Sequence, residues 1–115
     1  MKRGDVYWAK LAPRSGSQQT GRRPVIVLSH DAFNQVRTWR SVIVVPVSIS
    51  LRQAGRVPTA VPLQAGVGGL YREGAAVCHQ VTTLDRSKLT ERIGNMPDEV
   101  IAQIENGLKA ALGMV

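Results

Sequence analysis

The chain is poor in the residues that usually announce metal chemistry, a stapled fold or a membrane span. It has one cysteine, Cys78, two histidines, His30 and His79, and five aromatic side chains among its 115 residues. A lone cysteine cannot close an intramolecular disulfide, which suits a reducing compartment and predicts a cytoplasmic protein. Cys78 lies in the apolar run Ala75-Ala76-Val77-Cys78 and is expected in the core. Neither it nor the histidines show metal-ligand spacing, so no metal and no other cofactor is expected. The longest apolar run, Val42 to Val47, falls far short of the ~20 residues that cross a bilayer, so no membrane partner is expected. At the N-terminus the basic Lys2-Arg3 is followed at once by Gly4-Asp5 rather than an apolar stretch, so no secretory signal is expected. Linkers, repeats and low-complexity tracts are missing too. The length predicts one domain, residues 1–115, with one hydrophobic core rather than two.

Positive charge is what the chain holds in excess. The net charge is +7, and its distribution is uneven: residues 1–56 carry ten Lys/Arg against two Asp, whereas residues 57–115 carry five Lys/Arg against six Asp/Glu. A field of one sign over the first half attracts polyanions such as RNA, DNA or an acidic protein segment. No stretch is a basic run of the kind found in nucleic-acid-binding tails, so folding must gather the charge.

Patterning predicts many short strands closed by one helix. Val6 to Leu11 mixes aromatic and aliphatic residues at strand length, and Pro13 to Gly21 reads as a polar loop. Pro24 to Ser29 reads as a second strand, and Asp31 as the cap of a helical turn over Ala32-Phe33-Asn34. Val42 to Val47 is a third strand, with Pro46 placing its end near an edge or bulge. The polar loop Ser48 to Pro58 precedes an edge strand at Thr59 to Leu63. Gly66-Val67-Gly68-Gly69 lacks the spacing and lysine of a phosphate-cradling loop and reads as a turn. Ala75 to Leu84 is expected as one strand and Arg92 to Gly94 as a short closing one. Pro97 suits a first helical turn, with Asp98 and Glu99 set against the helix dipole. Ile101, Ile104, Leu108 and Leu112 then form one apolar stripe. The fold class is α+β: a small antiparallel β-barrel with a C-terminal helix.

Arg22 and Arg23 stand immediately before Pro24-Val25-Ile26-Val27. Two guanidiniums at the lip of a rigid strand are held in place, and each offers a planar fork of donors matched to phosphate oxygens. Around this pair the order of motifs becomes specific. Lys2-Arg3-Gly4-Asp5-Val6-Tyr7-Trp8, Gly16-Ser17-Gln18-Gln19-Thr20-Gly21-Arg22-Arg23-Pro24-Val25-Ile26-Val27, Val44-Val45-Pro46-Val47-Ser48, Pro58-Thr59, Cys78-His79-Gln80-Val81-Thr82-Thr83-Leu84-Asp85 and Ile93-Gly94 follow one another. This succession resembles the MazF/PemK (Kid) family of toxin endoribonucleases over almost the whole chain.

The resemblance implies an SH3-like barrel of the CcdB/PemK kind that forms a homodimer and is neutralised by a cognate acidic antitoxin. It implies metal-free cleavage of single-stranded RNA, with the 2′-hydroxyl attacking the adjacent phosphate to leave a 2′,3′-cyclic phosphate and a 5′-hydroxyl. The family's active-site arginine matches Arg23, and its active-site Thr/Ser matches Ser48. The remaining residues are read from their own chemistry. Arg23 suits stabilisation of a phosphorane, and Ser48, too weakly acidic to be a base, suits a hydrogen bond to the phosphate or the 2′-hydroxyl. His79 stands where many members carry an acid, and three readings are open: it shuttles protons, contacts a nucleotide, or is simply structural. Thr82 stands where many carry an arginine, a loss for which Arg22 or Arg86 is a partial substitute. Ser17, Gln18, Gln19, Gln80, Thr82 and Thr83 offer hydrogen bonds to base edges. Replacement of acids by Gln18 and His79 predicts relaxed sequence choice. Trp39 and Tyr71 are expected as stacking platforms, core or dimer contacts, and Trp8 as structural. Two other readings stay open: a gyrase-binding toxin of the same fold, as in CcdB, and a relative that binds RNA without cutting it.

Overall fold

A computed structural model describes residues 1–11, 21–49 and 58–114. Seven antiparallel strands and a C-terminal helix follow the predicted order. They are β1 (Asp5–Leu11), β2 (Gly21–Val27), β3 (Ser41–Ser48), β4 (Ala60–Leu63), β5 (Gly74–Val77), β6 (Thr82–Asp85) and β7 (Leu89–Asn95), with a short helix α1 (Asp31–Asn34) and the long α2 (Asp98–Leu112). The ladder runs β4-β5-β3-β2-β1-β7, with β6 also on β3. This is the expected α+β class, although the hydrogen-bonded ladder ends at β4 and β7 instead of closing into a full barrel. Glycines bring those two ends together. A Cβ on Gly94 of β7 would lie 2.4 Å from the Gly68 carbonyl oxygen, and one on Gly69 would lie 2.6 Å from that of Ile93. The turn after β4 therefore lies flat on β7, which explains the glycine cluster at residues 66–69.

Alternation along β1, β2 and β3 buries both faces of the sheet, so two apolar clusters form where one core was expected. Val6, Ile26, Val45, Val47, Met96, Ile101 and Ile104 belong to one, under α2. Ala9, Val25, Val27, Val42 and Val44 belong to the other, flanked by Tyr7, Leu11, Leu84 and Leu89. β-Branched residues dominate both because they pack well on a pleated surface.

Several boundaries differ from the sequence reading. β2 starts at Gly21, so Arg22 and Arg23 lie within the strand, across from Lys10 and Ala9 of β1. The segment read as one strand from Ala75 to Leu84 is broken by a 3-10 turn at Cys78–Gln80. β5 pairs with Val47 and Ser48, and β6 with Ser41 to Val44. Pro46 falls in the gap between those two partners, where a missing N–H is tolerated. His30, not Asp31, caps α1: its Nδ1 accepts the Ala32 amide at 2.9 Å. Asp31 instead accepts the Arg3 amide at 2.7 Å and the Asn34 side chain at 3.0 Å. The closing strand is seven residues long, because Asp5 of β1 binds Arg92 and Asn95 across the pair. Pro97 sits one residue ahead of α2. Leu112 leaves the apolar stripe at 60% exposure, and Gly107 fills the close position instead, where a Cβ would come within 2.7 Å of Cys78 Sγ. Cys78 is buried as expected, and burial pushes its thiol up to about 11.

Candidate active site

The β2–β3 pairing ends at Val25 opposite Pro46. Two residues further along each strand stand Arg23 and Ser48, so the register places them across from one another at the end of the sheet. Strand alternation sends both side chains to the face shared by Val25 and Val44. Arg23 is only 8% exposed, yet among the described residues no carboxylate lies within ion-pair distance of it. Its Nε donates to the Val47 carbonyl at 3.4 Å, and burial pulls its pKa down. A desolvated guanidinium without an anionic partner is costly to maintain. It attracts any phosphate that reaches it more strongly than a solvated one does.

Ser48 is also buried, at 4% exposure, and its backbone is fixed by β5. It pairs with Ala75, and a Cβ on the preceding Gly74 would meet the Ser48 carbonyl oxygen at 2.4 Å. Gly74 is thus a positioning residue that the sequence reading missed. Its signal was a glycine directly before the apolar run Ala75-Ala76-Val77.

The matching sequence pattern spans residues 2–112 and is that of a family described as PemK-like, MazF-like toxin of type II toxin-antitoxin system. The chain belongs to the PemK/MazF toxin family. It is 34% identical to endoribonuclease EndoA of Bacillus subtilis, over all of this chain and 97% of that one. It is similar to the crystal structure of MazF from Deinococcus radiodurans, with a TM-score of 0.78 and 31% identity over 99% of this chain and 97% of the other. A MazE–MazF structure from the same organism superimposes with a TM-score of 0.75 at 31% identity, over 100% of this chain and 97% of that one.

The other predicted site residues of this MazF-like chain are spread along β3. His79 and Gln80 lie on the 3-10 turn that carries the chain from β5 to β6, beside the middle of β3; His79 is exposed and Gln80 half-buried. Thr82 pairs with Val44 and Thr83 with Ile43, further from Ser48. Arg86 follows β6 beyond the far end of β3, opposite Arg40 and about 26 Å from Ser48 by strand rise. Its guanidinium is already engaged: Nη2 donates to the carbonyls of Phe33 at 2.9 Å, Asn34 at 2.7 Å and Val36 at 3.1 Å, and Nε donates to that of Trp39. Arg86 fastens the α1–β3 connection and is not placed to replace a cation near Thr82. Arg22 points to the face opposite Arg23, where its guanidinium covers Trp8 and reaches Glu91 at 3.5 Å. Ser17, Gln18 and Gln19 lie outside the described residues. Trp39 and Tyr71 are both largely exposed, which removes the core reading for each.

Proposed function

We propose that this chain is the toxin of a type II toxin–antitoxin pair, an endoribonuclease that cuts single-stranded RNA without a metal. The observation that carries the reading is the buried guanidinium of Arg23, with no carboxylate in ion-pair distance among the described residues, set across from Ser48 by the register at the end of β2 and β3. Relatives named endoribonucleases support it over gyrase binding. In the reaction the 2′-oxygen bonds to phosphorus and the bond to the 5′-oxygen breaks, leaving a 2′,3′-cyclic phosphate and a 5′-hydroxyl. Arg23 holds two equatorial oxygens of the phosphorane, and the Ser48 hydroxyl hydrogen-bonds the phosphate or orients the 2′-hydroxyl. One proton leaves the 2′-hydroxyl and one reaches the departing 5′-oxygen. His79 is the candidate for either transfer, and its exposure equally suits contact with a nucleotide. Gln80, Thr82 and Thr83 present hydrogen-bonding groups along the same β3 border, with Ser17, Gln18 and Gln19 as further base contacts.

The protein works in the cytoplasm as a homodimer, one domain per copy. Phe33 and Trp39, whose ring centroids lie 4.8 Å apart, with the neighbouring exposed Val36 and Ile43, are the apolar surface a second copy covers. The antitoxin is acidic and competes with RNA for the positive face. The test is to incubate purified protein with a defined single-stranded RNA in EDTA and analyse the ends. Cyclic-phosphate products support the nuclease, binding without cleavage supports an RNA-binding relative, and gyrase inhibition with neither supports the CcdB-like alternative. A His79→Ala cleavage rate equal to wild type from pH 5 to 8 removes histidine from proton transfer.

A further inference from the structure

On the sheet face opposite Arg23 and Ser48, three side chains form a cluster that the reaction does not use. Trp8 and Tyr71 bring their ring centroids to 5.9 Å at an interplanar angle of 34°. The Arg22 guanidinium carbon sits 4.9 Å from the Trp8 ring centroid. The sheet register sets this up, because Trp8 lies between Pro24 of β2 and Glu91 of β7, one alternation from the Lys10–Arg22 pair. Tyr71 is 63% exposed, so one face of the aromatic pair is open to solvent. Exposed Lys10 and Arg72 stand beside the cluster in sequence or register.

We propose that Tyr71, Trp8 and Arg22 form a second RNA-contact site that stacks one unpaired nucleobase outside the cleaved linkage. This rests on the ribonuclease reading for the identity of the polymer. An exposed tyrosine backed by a tryptophan offers a π-face that unstacked bases of any sequence accept. Arg22, held over Trp8 and paired with the exposed Glu91 at 3.5 Å, exchanges that carboxylate for the adjoining phosphate. Arg22 and Arg23 are neighbours in β2, one and two residues inside the strand's Gly21 end, and leave opposite faces. Tyr71 acts on binding and not on chemistry, because it is remote from the reacting phosphate.

The test uses a short single-stranded RNA carrying the linkage the protein cuts, blocked there by a 2′-O-methyl group, with an abasic nucleotide moved along it. Dissociation constants are measured for wild type, Tyr71→Leu and Tyr71→Phe. One abasic position is expected to weaken wild-type binding by roughly 5- to 150-fold, the range of one lost base–aromatic stack, and to have no further effect in Tyr71→Leu. Tyr71→Phe retains wild-type affinity. On unblocked RNA, Tyr71→Leu raises KM and leaves kcat unchanged. Equal abasic effects in wild type and Tyr71→Leu overturn the site, as does a Tyr71→Leu that loses an acidic antitoxin peptide but not RNA. If wild type cleaves and the scan is additive, the site falls and the nuclease stands. If nothing is cleaved and the scan is non-additive, the site stands and the nuclease falls.

Discussion

Arg22 and Arg23 differ in the face of β2 they leave, and that decides what each can do. Arg23 points into the buried end of the sheet beside Ser48, whereas Arg22 lies over Trp8 with Glu91 in reach. Arg22→Ala is expected to weaken RNA binding and reduce the slope of log affinity against log salt by about 1, with the saturated cleavage rate kept. A salt titration of binding checks this. Gly74→Ala acts through Ser48. The added methyl would press on the Ser48 carbonyl at 2.4 Å, so the backbone of one or the other must move. A displacement near 1 Å costs about 10²-fold in kcat, with KM changed little, and steady-state kinetics read it directly. Arg23 stood out in the sequence as a guanidinium at the head of a β-branched strand, whereas Ser48 was marked only by the resemblance to the family. The sequence could not place Arg22, whose partners depend on the register of three strands.

The elements were legible where apolar periodicity ran unbroken, as in β1, β3 and α2. The break at Cys78–Gln80 was not, since neither glycine nor proline marks it and the polar pair His79-Gln80 is its only trace in the pattern. Arg86 was read as a partial substitute for the cation missing at Thr82. In the fold it clamps the carbonyls that end α1. Arg86→Ala is expected to lower stability by about 1–3 kcal/mol through those carbonyls and to leave kcat intact, measured by urea unfolding alongside cleavage. Asp5 joins β1 to β7. Burial raises its carboxyl, but hydrogen bonds from Asn95, the Lys2 amide and Arg92, with the Arg92 charge, outweigh that and hold its pKa below the usual value. The unfolded chain thus takes up this proton first as pH falls. The stability Asp5 contributes is present above about pH 4 and is lost below it. Asp5→Asn should be less stable than wild type at pH 7, with the gap closing below about pH 4 in melts run across that range.

Across the whole molecule, the charge asymmetry and the two-faced sheet fit together. The first half of the chain carries the positive excess and supplies β1 to β3, which hold Arg22 and Arg23 on opposite faces. The exposed apolar residues Phe33, Val36, Trp39 and Ile43 proposed as the dimer contact lie toward the other end of β3 from Arg23. Trp39→Glu is expected to shift the protein from dimer to monomer in sedimentation, because it places a charge in that patch. The decisive measurement is the single-turnover cleavage rate of Arg23→Ala in EDTA, at saturating RNA, beside wild type. A rate lower by roughly 10²–10³-fold, with the fold intact by circular dichroism, is the predicted result. A variant that cuts at the wild-type rate, leaving the same cyclic-phosphate ends, contradicts it.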